Sequence, residues 1–308
     1  MTLRRTRLAP SPTGALHAGN AFSFLVNWAI ARQSGWEIIF RMEDIAGPRN
    51  KLETIQGSID ILQWLGLECD GEVQLQSEGL HHSRRSLETL IQNDLAYHCE
   101  LTRSEIEEVT TAPHHLTNHL SPTRPANIHK HNEEHIPETT NWRFVATLGD
   151  SRIKDAFWPE YPQSVSEDFV IWTKENSPAY QLAVVVDDHR QGVTDVVRGN
   201  DLYNSAALQS QLYKAFGWEE PTWWHLPLIL GPDNKRLAKR HGDSRIETYK
   251  AKGVSQEKII GLIAKWCGIQ EINAPMLLSS FCENLSLPSM EKKNKIFSIE
   301  DEQWLLDS

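Results

Sequence analysis

The apolar residues fall at spacings that predict a strand over 5–9 and a helix over 21–34, the latter carrying Phe22, Leu25, Trp28, Ala29 and Ala31. Between them Pro10-Ser11-Pro12-Thr13-Gly14 is a turn that two prolines and a glycine keep out of helix. Gly35 ends the helix, and Trp36 to Met42 follows as a largely apolar, buried strand. Ile55, Ile59, Leu62 and Leu65 mark an amphipathic helix, and a further helix is expected over 83–96. Alternating strand and helix is the pattern of an α/β domain with a parallel sheet. It breaks near 99, where residues 100–165 turn polar and read as an insertion rather than core. Six of the thirteen histidines lie between His114 and His135. The pattern then resumes. Leu182 to Val186 reads as a buried strand ending in Asp187-Asp188, and Val193 to Val197 as another, closed by Arg198-Gly199. A helix over 205–216 stops at Gly217, and His225 to Leu230 is a last strand. From 244 onward the spacing is helical, with Ile259, Ile260, Ile263 and Trp266 on one stripe before Gly268. The last 30 residues read as weakly structured apart from a short terminal helix.

Composition adds boundaries. The 308 residues suggest about two domains, and no run approaches the ~20 apolar residues of a membrane span. The basic start, Met1 to Arg7, opens straight into a strand rather than a signal peptide. Cys69, Cys99, Cys267 and Cys282 lie far apart, which fits a reducing cytoplasm. The net charge of −10 argues against non-specific coating of nucleic acid but allows a local basic patch.

Two segments carry candidate chemistry. In the first, Arg7 to Gly14 leads into His17-Ala18-Gly19-Asn20 at a helix start. Helix N-termini suit phosphate, His17 can donate to a phosphate oxygen, and Gly19 lets a ring or phosphate approach the backbone. Alone, it is equally an ordinary strand–helix turn capped by Asn20. The second is Lys235-Arg236-Leu237-Ala238-Lys239-Arg240-His241-Gly242, a cationic loop in an acidic chain. Such a loop can close over a polyphosphate, or simply be solvated.

Together and in this order, the two segments resemble the signature pair of class I aminoacyl-tRNA synthetases. His17-Ala18-Gly19-Asn20 is similar to the family's His-Ile-Gly-His element, and Arg236 to Arg240 to its Lys-Met-Ser-Lys-Ser loop, with Lys239 at the catalytic lysine. Arg7 to Gly14, Arg41-Met42-Glu43-Asp44, Tyr180 to Asp188, Gly192 to Gly199, His225-Leu226-Pro227 and Lys239 to Gly242 resemble the glutamyl-tRNA synthetase group. Only 68 residues follow Arg240, too few for the group's anticodon-binding part. With Arg198-Gly199-Asn200-Asp201-Leu202, that length resembles the short glutamyl-Q tRNA(Asp) synthetase branch, which attaches glutamate to the queuosine base of tRNA(Asp).

The resemblance implies a Rossmann-type parallel-sheet catalytic domain in two halves, 1–98 and 166–243, an inserted acceptor-type subdomain at 99–165, and a helical extension at 244–308 that contacts the RNA stem. It implies activation of L-glutamate by ATP, present as its Mg²⁺ complex, then transfer to queuosine-bearing tRNA(Asp) by a cytoplasmic monomer. His17, Gly19, Asn20 and Lys239 fall at the ATP positions, with His17 and Lys239 catalytic. Arg7, Ser11, Glu43, Tyr180 and Arg198 fall at the glutamate positions. The chemistry agrees: a ligand with two carboxylates and one ammonium calls for arginines and one anion. Singly, Arg7, Glu43 and Arg198 also suit a surface ion pair, and Tyr180 a strand-edge core position. The residues offer no obvious base for the second step, which an adenylate does not require.

Three positions depart from the family. Cys99 matches the first cysteine of its zinc site, but Leu101 stands at the second and no cysteine lies between 100 and 266. The usual four-ligand zinc site is therefore not expected, and Cys99 with histidines of the 114–135 cluster is a remote substitute. Ala46 replaces an aspartate after Glu-Asp-Ile, and Ala238 removes one hydroxyl. Two alternatives stand: a glutamyl-tRNA synthetase with a shortened C-terminus, and a non-catalytic RNA-binding paralogue.

Overall fold

The computed structural model describes residues 3–11, 16–45, 52–101, 105, 121, 123–133, 136, 139–158, 161–235, 237 and 244–307. Strand β1 (Arg5–Leu8) leads to helix α1 (Ala18–Ser34), β2 (Glu37–Met42), α2 (Leu52–Trp64), β3 (Gln74–Leu75), α3 (Leu80–Gln92) and β4 (Ala96–Cys99). β1, β2 and β3 form a parallel sheet, with Leu8 opposite Phe40 and Met42 opposite Leu75. Gly35 ends α1 at φ 65°, a left-handed cap that glycine takes without steric cost. Asn27 fastens α1 to β1: its side chain donates to the Arg7 carbonyl and accepts from the Thr6 hydroxyl, both at 3.0 Å.

The middle of the chain adds α4 (Ile128–Glu133), β5 (Asn141–Phe144), β6 (Gly149–Ile153), β7 (Tyr161–Val165), β8 (Phe169–Thr173) and β9 (Ser177–Pro178). β4, β5, β8 and β9 form an antiparallel sheet, and β6 pairs with β7. This corrects the reading of 100–165 as outside the core. Trp142, Phe144, Ile153 and Val165 are buried with Leu90, Ile171, Leu212 and Trp223 in one cluster.

The run Leu182 to Val186, expected as a strand, lies in helix α5 (Tyr180–Arg190). Residues 182–188 are all buried, because α5 is packed among α3, β8 and the next helix. A helix covered on every side shows no polar stripe, so its apolar run matches a buried strand. The strand expected at 193–197 is β10 (Asp195–Gly199), which carries Arg198 within it. Next come α6 (Tyr203–Phe216), β11 (Thr222–Leu226) and β12 (Ile229–Leu230), Pro227 having split the run expected over 225–230. β10 and β11 are parallel, and β10 lies beside β1, joined by Thr194 N–H to the Arg5 carbonyl at 2.9 Å.

α7 (Ile246–Ala251) and α8 (Gln256–Cys267) follow, then α9 (Leu278–Asn284), β13 (Lys295–Ile296) and α10 (Ile299–Leu306). The tail is better ordered than the sequence suggested. Phe281, Met290, Phe297 and Leu305 are buried against α1 and α8 in another cluster, with Leu8, Phe22, Leu25 and Ile260, and β13 pairs with β12. The helix expected over 83–96 ends at Gln92, where Asn93 and Asp94 turn the chain into β4. Among the described residues no helix is long and apolar enough to cross a membrane.

Candidate active site

A cleft of about 490 Å³ opens where β1 and β10 end. Arg7, Ser11, His17, Gly19, Asn20, Glu43, Tyr180 and Arg198 all line it. Neighbouring strands whose ends meet beside a helix N-terminus form the ligand crevice of open α/β sheets. Three polar side chains here are buried: Arg7 is 5 % exposed, Arg198 7 % and Glu43 8 %. Tyr180, 41 % exposed, stands at the first turn of α5 rather than at a strand edge.

The β2 flank is a closed ionic network. Arg41 is wholly buried and donates to Asp188 Oδ1 at 2.6 Å, to Gln191 Oε1 at 2.8 Å and to Glu43 Oε1 at 3.2 Å. Burial opposes its charge, but Asp188 and Glu43 outweigh that and raise its pKa. Arg7 Nε lies 3.3 Å from the same Asp188 oxygen, and Arg7 Nη1 donates to the Val197 carbonyl at 3.2 Å. Glu43 Oε2 accepts from the Ser11 hydroxyl at 3.4 Å, and the Glu43 N–H donates to the Pro10 carbonyl at 3.0 Å.

The β10 flank is different. Arg198 donates to His225 Nε2 at 3.1 Å, to Gln209 Oε1 at 2.9 Å and to the Leu202 carbonyl at 3.2 Å, and its guanidinium lies 4.8 Å from the centre of the Trp223 ring. These three acceptors are neutral; the Tyr180 hydroxyl also interacts with the guanidinium, and Asp188 acts on it at longer range. Burial holds Arg198 below the usual arginine value.

At the far end of the cleft, the N–H of His17 donates to Asn20 Oδ1 at 3.3 Å and so caps α1. Gly19 faces Ile229, and a Cβ there would also crowd the His17 ring at 3.2 Å. The Ala18 N–H donates to the Ser244 carbonyl at 3.0 Å, and the Ile246 N–H to the Leu16 carbonyl at 2.8 Å. The segment that follows the cationic loop is thus stapled to the start of α1. Lys239, Arg236, Ala238 and Arg240 themselves lie outside the described residues, as do Ala46 and the Pro12 to Gly14 turn.

Of the possible metal donors, Cys99 is buried on β4, and among the described residues no group of three or more His, Cys, Asp or Glu is arranged to hold a metal ion. His114, His115, His119 and His135 lie outside those residues. His98 and His131 stack at 3.9 Å, and each is within hydrogen-bond reach of the other's carbonyl.

Asp155, His225, Gln209 and Asp188 were not singled out as site residues by sequence reasoning. His225 and Asp188 sat inside quoted motifs, whereas Asp155 carried no signal.

The fold is mixed α/β with parallel sheet elements, and its cleft brings two buried arginines and a buried glutamate to the ends of the strands. The profile described as tRNA synthetases class I (E and Q), catalytic domain, matches residues 4–301, and the chain belongs to this family. It is 38% identical over 252 residues to Glutamate--tRNA ligase 1 of Jannaschia sp., covering 81% of this chain and 53% of that protein. It is 37% identical over 271 residues to Glutamate--tRNA ligase of Phenylobacterium zucineum, covering 85% and 56%. The chain thus spans about half the length of the curated relatives it matches. A crystal structure of a glutamate tRNA ligase from Elizabethkingia meningosepticum, in complex with its amino acid, superposes with a TM-score of 0.79 at 25% identity, over 98% of this chain and 68% of that one.

Proposed function

We propose that the protein activates L-glutamate with ATP and transfers it to the queuosine base of tRNA(Asp). The observation that carries the first half is the cleft itself, which pairs two buried arginines, Arg7 and Arg198, with the carboxylate of Glu43. Arg7 and Arg198 bind the carboxylates of glutamate, Glu43 takes the ammonium, and Tyr180 and Ser11 complete the walls. ATP enters as its Mg²⁺ complex with its phosphates toward His17, Gly19 and Asn20 at the α1 N-terminus. A glutamate carboxylate oxygen attacks the α-phosphorus, the bond to the bridging oxygen breaks, and pyrophosphate leaves. Lys239 neutralises the charge that develops. A hydroxyl of the queuosine cyclopentene ring then attacks the adenylate carbonyl, AMP departs, and the hydroxyl proton passes to solvent. The likeness of Arg198-Gly199-Asn200-Asp201-Leu202 to the glutamyl-Q tRNA(Asp) branch supports this acceptor. The reading sets the reaction in the cytoplasm, where tRNA is found, and carried out by a monomer.

A second reading has tRNA(Glu) as acceptor, supported by relatives that are glutamate–tRNA ligases. Glutamate-dependent ATP–pyrophosphate exchange over an amino-acid panel tests the first step. Exchange without amino-acid preference, or none with or without RNA, would overturn it and favour a non-catalytic RNA-binding role. Supplying tRNA(Asp) with and without queuosine, and tRNA(Glu), tests the second. Labelling of tRNA(Glu) alone would replace the queuosine reading with the other.

A further inference from the structure

We infer that the buried Asp155–His225 pair is a positioning device for Arg198, holding the imidazole as its Nδ1–H tautomer so that Nε2 offers the guanidinium a neutral lone pair. This rests on the reading of the cleft as a glutamate site. Both side chains are fully buried, with His225 Nδ1 2.7 Å from Asp155 Oδ2. Asp155 Oδ1 accepts from the N–H groups of Phe157 at 2.9 Å and Trp158 at 2.7 Å, and Oδ2 also accepts the His225 N–H at 3.1 Å. Three backbone N–H groups already make Asp155 an acceptor, and the simplest pairing has His225 Nδ1 donate to it as well. Nε2 is left as an acceptor, and Arg198 Nε points at it from 3.1 Å, while the Leu202 carbonyl, which also lies within reach of the imidazole, accepts from Arg198 Nη2 at 3.2 Å. Tyr203, 4.6 Å from His225 between ring centres, and Trp223, stacked at 6.2 Å, wall the imidazole in.

Two consequences follow for the cleft. A carboxylate at position 225 would orient Arg198 equally well but cancel its charge from within. The imidazole orients it and leaves the charge for the ligand. Gln209, itself held through Gln181 and Ser205, braces the other side of the guanidinium. The fork is thus aimed before any ligand arrives, which lowers the cost of binding.

The test uses the whole protein. Long-range proton–nitrogen correlation of ¹⁵N-histidine protein at neutral pH should find His225 protonated at Nδ1 and bare at Nε2, the signal being assigned by its loss in His225→Gln. Finding Nε2 protonated would overturn the inference, whatever the substrate proves to be. In glutamate-dependent exchange, His225→Leu should raise the glutamate KM by about 10- to 100-fold with the ATP KM unchanged. His225→Gln keeps an acceptor and a donor and should restore most of that loss. Equal impairment of the two variants would assign the imidazole a packing role instead. A wild-type protein without glutamate-dependent exchange would sink the glutamate reading, while the tautomer measurement would still decide the pairing.

Discussion

Arg41 lies behind the cleft beside Glu43 and Arg198 lines it; both are buried arginines, and they differ in their counterions. Arg41 touches two carboxylates, Asp188 and Glu43, and its charge is settled inside the protein. Arg198 touches an imidazole, a carboxamide and a carbonyl, and its charge is not. A buried ion with no counterion in contact is costly, and an anion bound beside Arg198 would offset that cost. One arginine therefore holds the site together, and the other is the one that the proposed function gives to the ligand.

Substitution should separate these roles. Arg41→Met leaves Glu43 buried without its cation and Asp188 with Arg7 alone, and should cost about 3–5 kcal/mol of stability, read from the urea midpoint. Arg198→Gln should cost only about 1–2 kcal/mol for poorly satisfied neutral acceptors. It should nevertheless raise the glutamate KM by about 100-fold or more, the penalty for losing a buried charged partner. If Arg198→Gln proved the more destabilising and left KM unchanged, the contrast between the flanks would be wrong.

Asp188 stands between these extremes, since Arg7 and Arg41 both approach the same oxygen. Asp188→Asn should lower stability by about 2 kcal/mol and raise the glutamate KM about tenfold through a loosened Arg7. A loss confined to stability would make Arg7 independent of that network.

The two flanks also differ in how much of each could be read from the sequence. Arg7, Ser11, His17 and Glu43 sit on a strand, the turn after it, the start of α1 and the residue after β2, inside the motifs that carry the family resemblance. On the other flank Arg198 was visible but its setting was not. Its strand begins two residues later than expected, and the helix before it read as a strand. Asp155 meets His225 across 70 positions from a segment that looked like an insertion. A buried carboxylate that binds one imidazole and three N–H groups leaves no periodic trace, because tertiary contact alone selects it.

The tail gives a smaller test of the β10 flank. Asn294 Oδ1 accepts from the Leu228 N–H at 2.9 Å and from Asn200 Nδ2 at 3.2 Å, tying two segments beside the cleft rim. Asn294→Ala should cost about 1 kcal/mol and speed hydrogen exchange at Leu228. Unchanged exchange there would mean that the β12–β13 pairing alone holds the rim.

The smallest expected effect is a pH dependence, and it again separates the flanks. Burial, opposed in part by Asp155, lowers the pKa of His225 below the ordinary 6.5. The unfolded chain therefore takes up a proton first as the pH falls through 6.5, and the folded protein takes it up only lower. Stability tied to neutral His225 is complete above 6.5 and declines below it. His82 and His189 are lowered in the same direction by burial, so wild-type stability should fall as the pH drops below 6.5. His225→Gln removes one of these three contributions and leaves the others, so its melting temperature should fall less steeply there. Arg41→Met removes no histidine and should shift the whole curve without flattening it. Parallel curves for His225→Gln and wild type would mean that His225 is not held neutral in the folded protein, and that the β10 flank carries more charge than its hydrogen bonds imply.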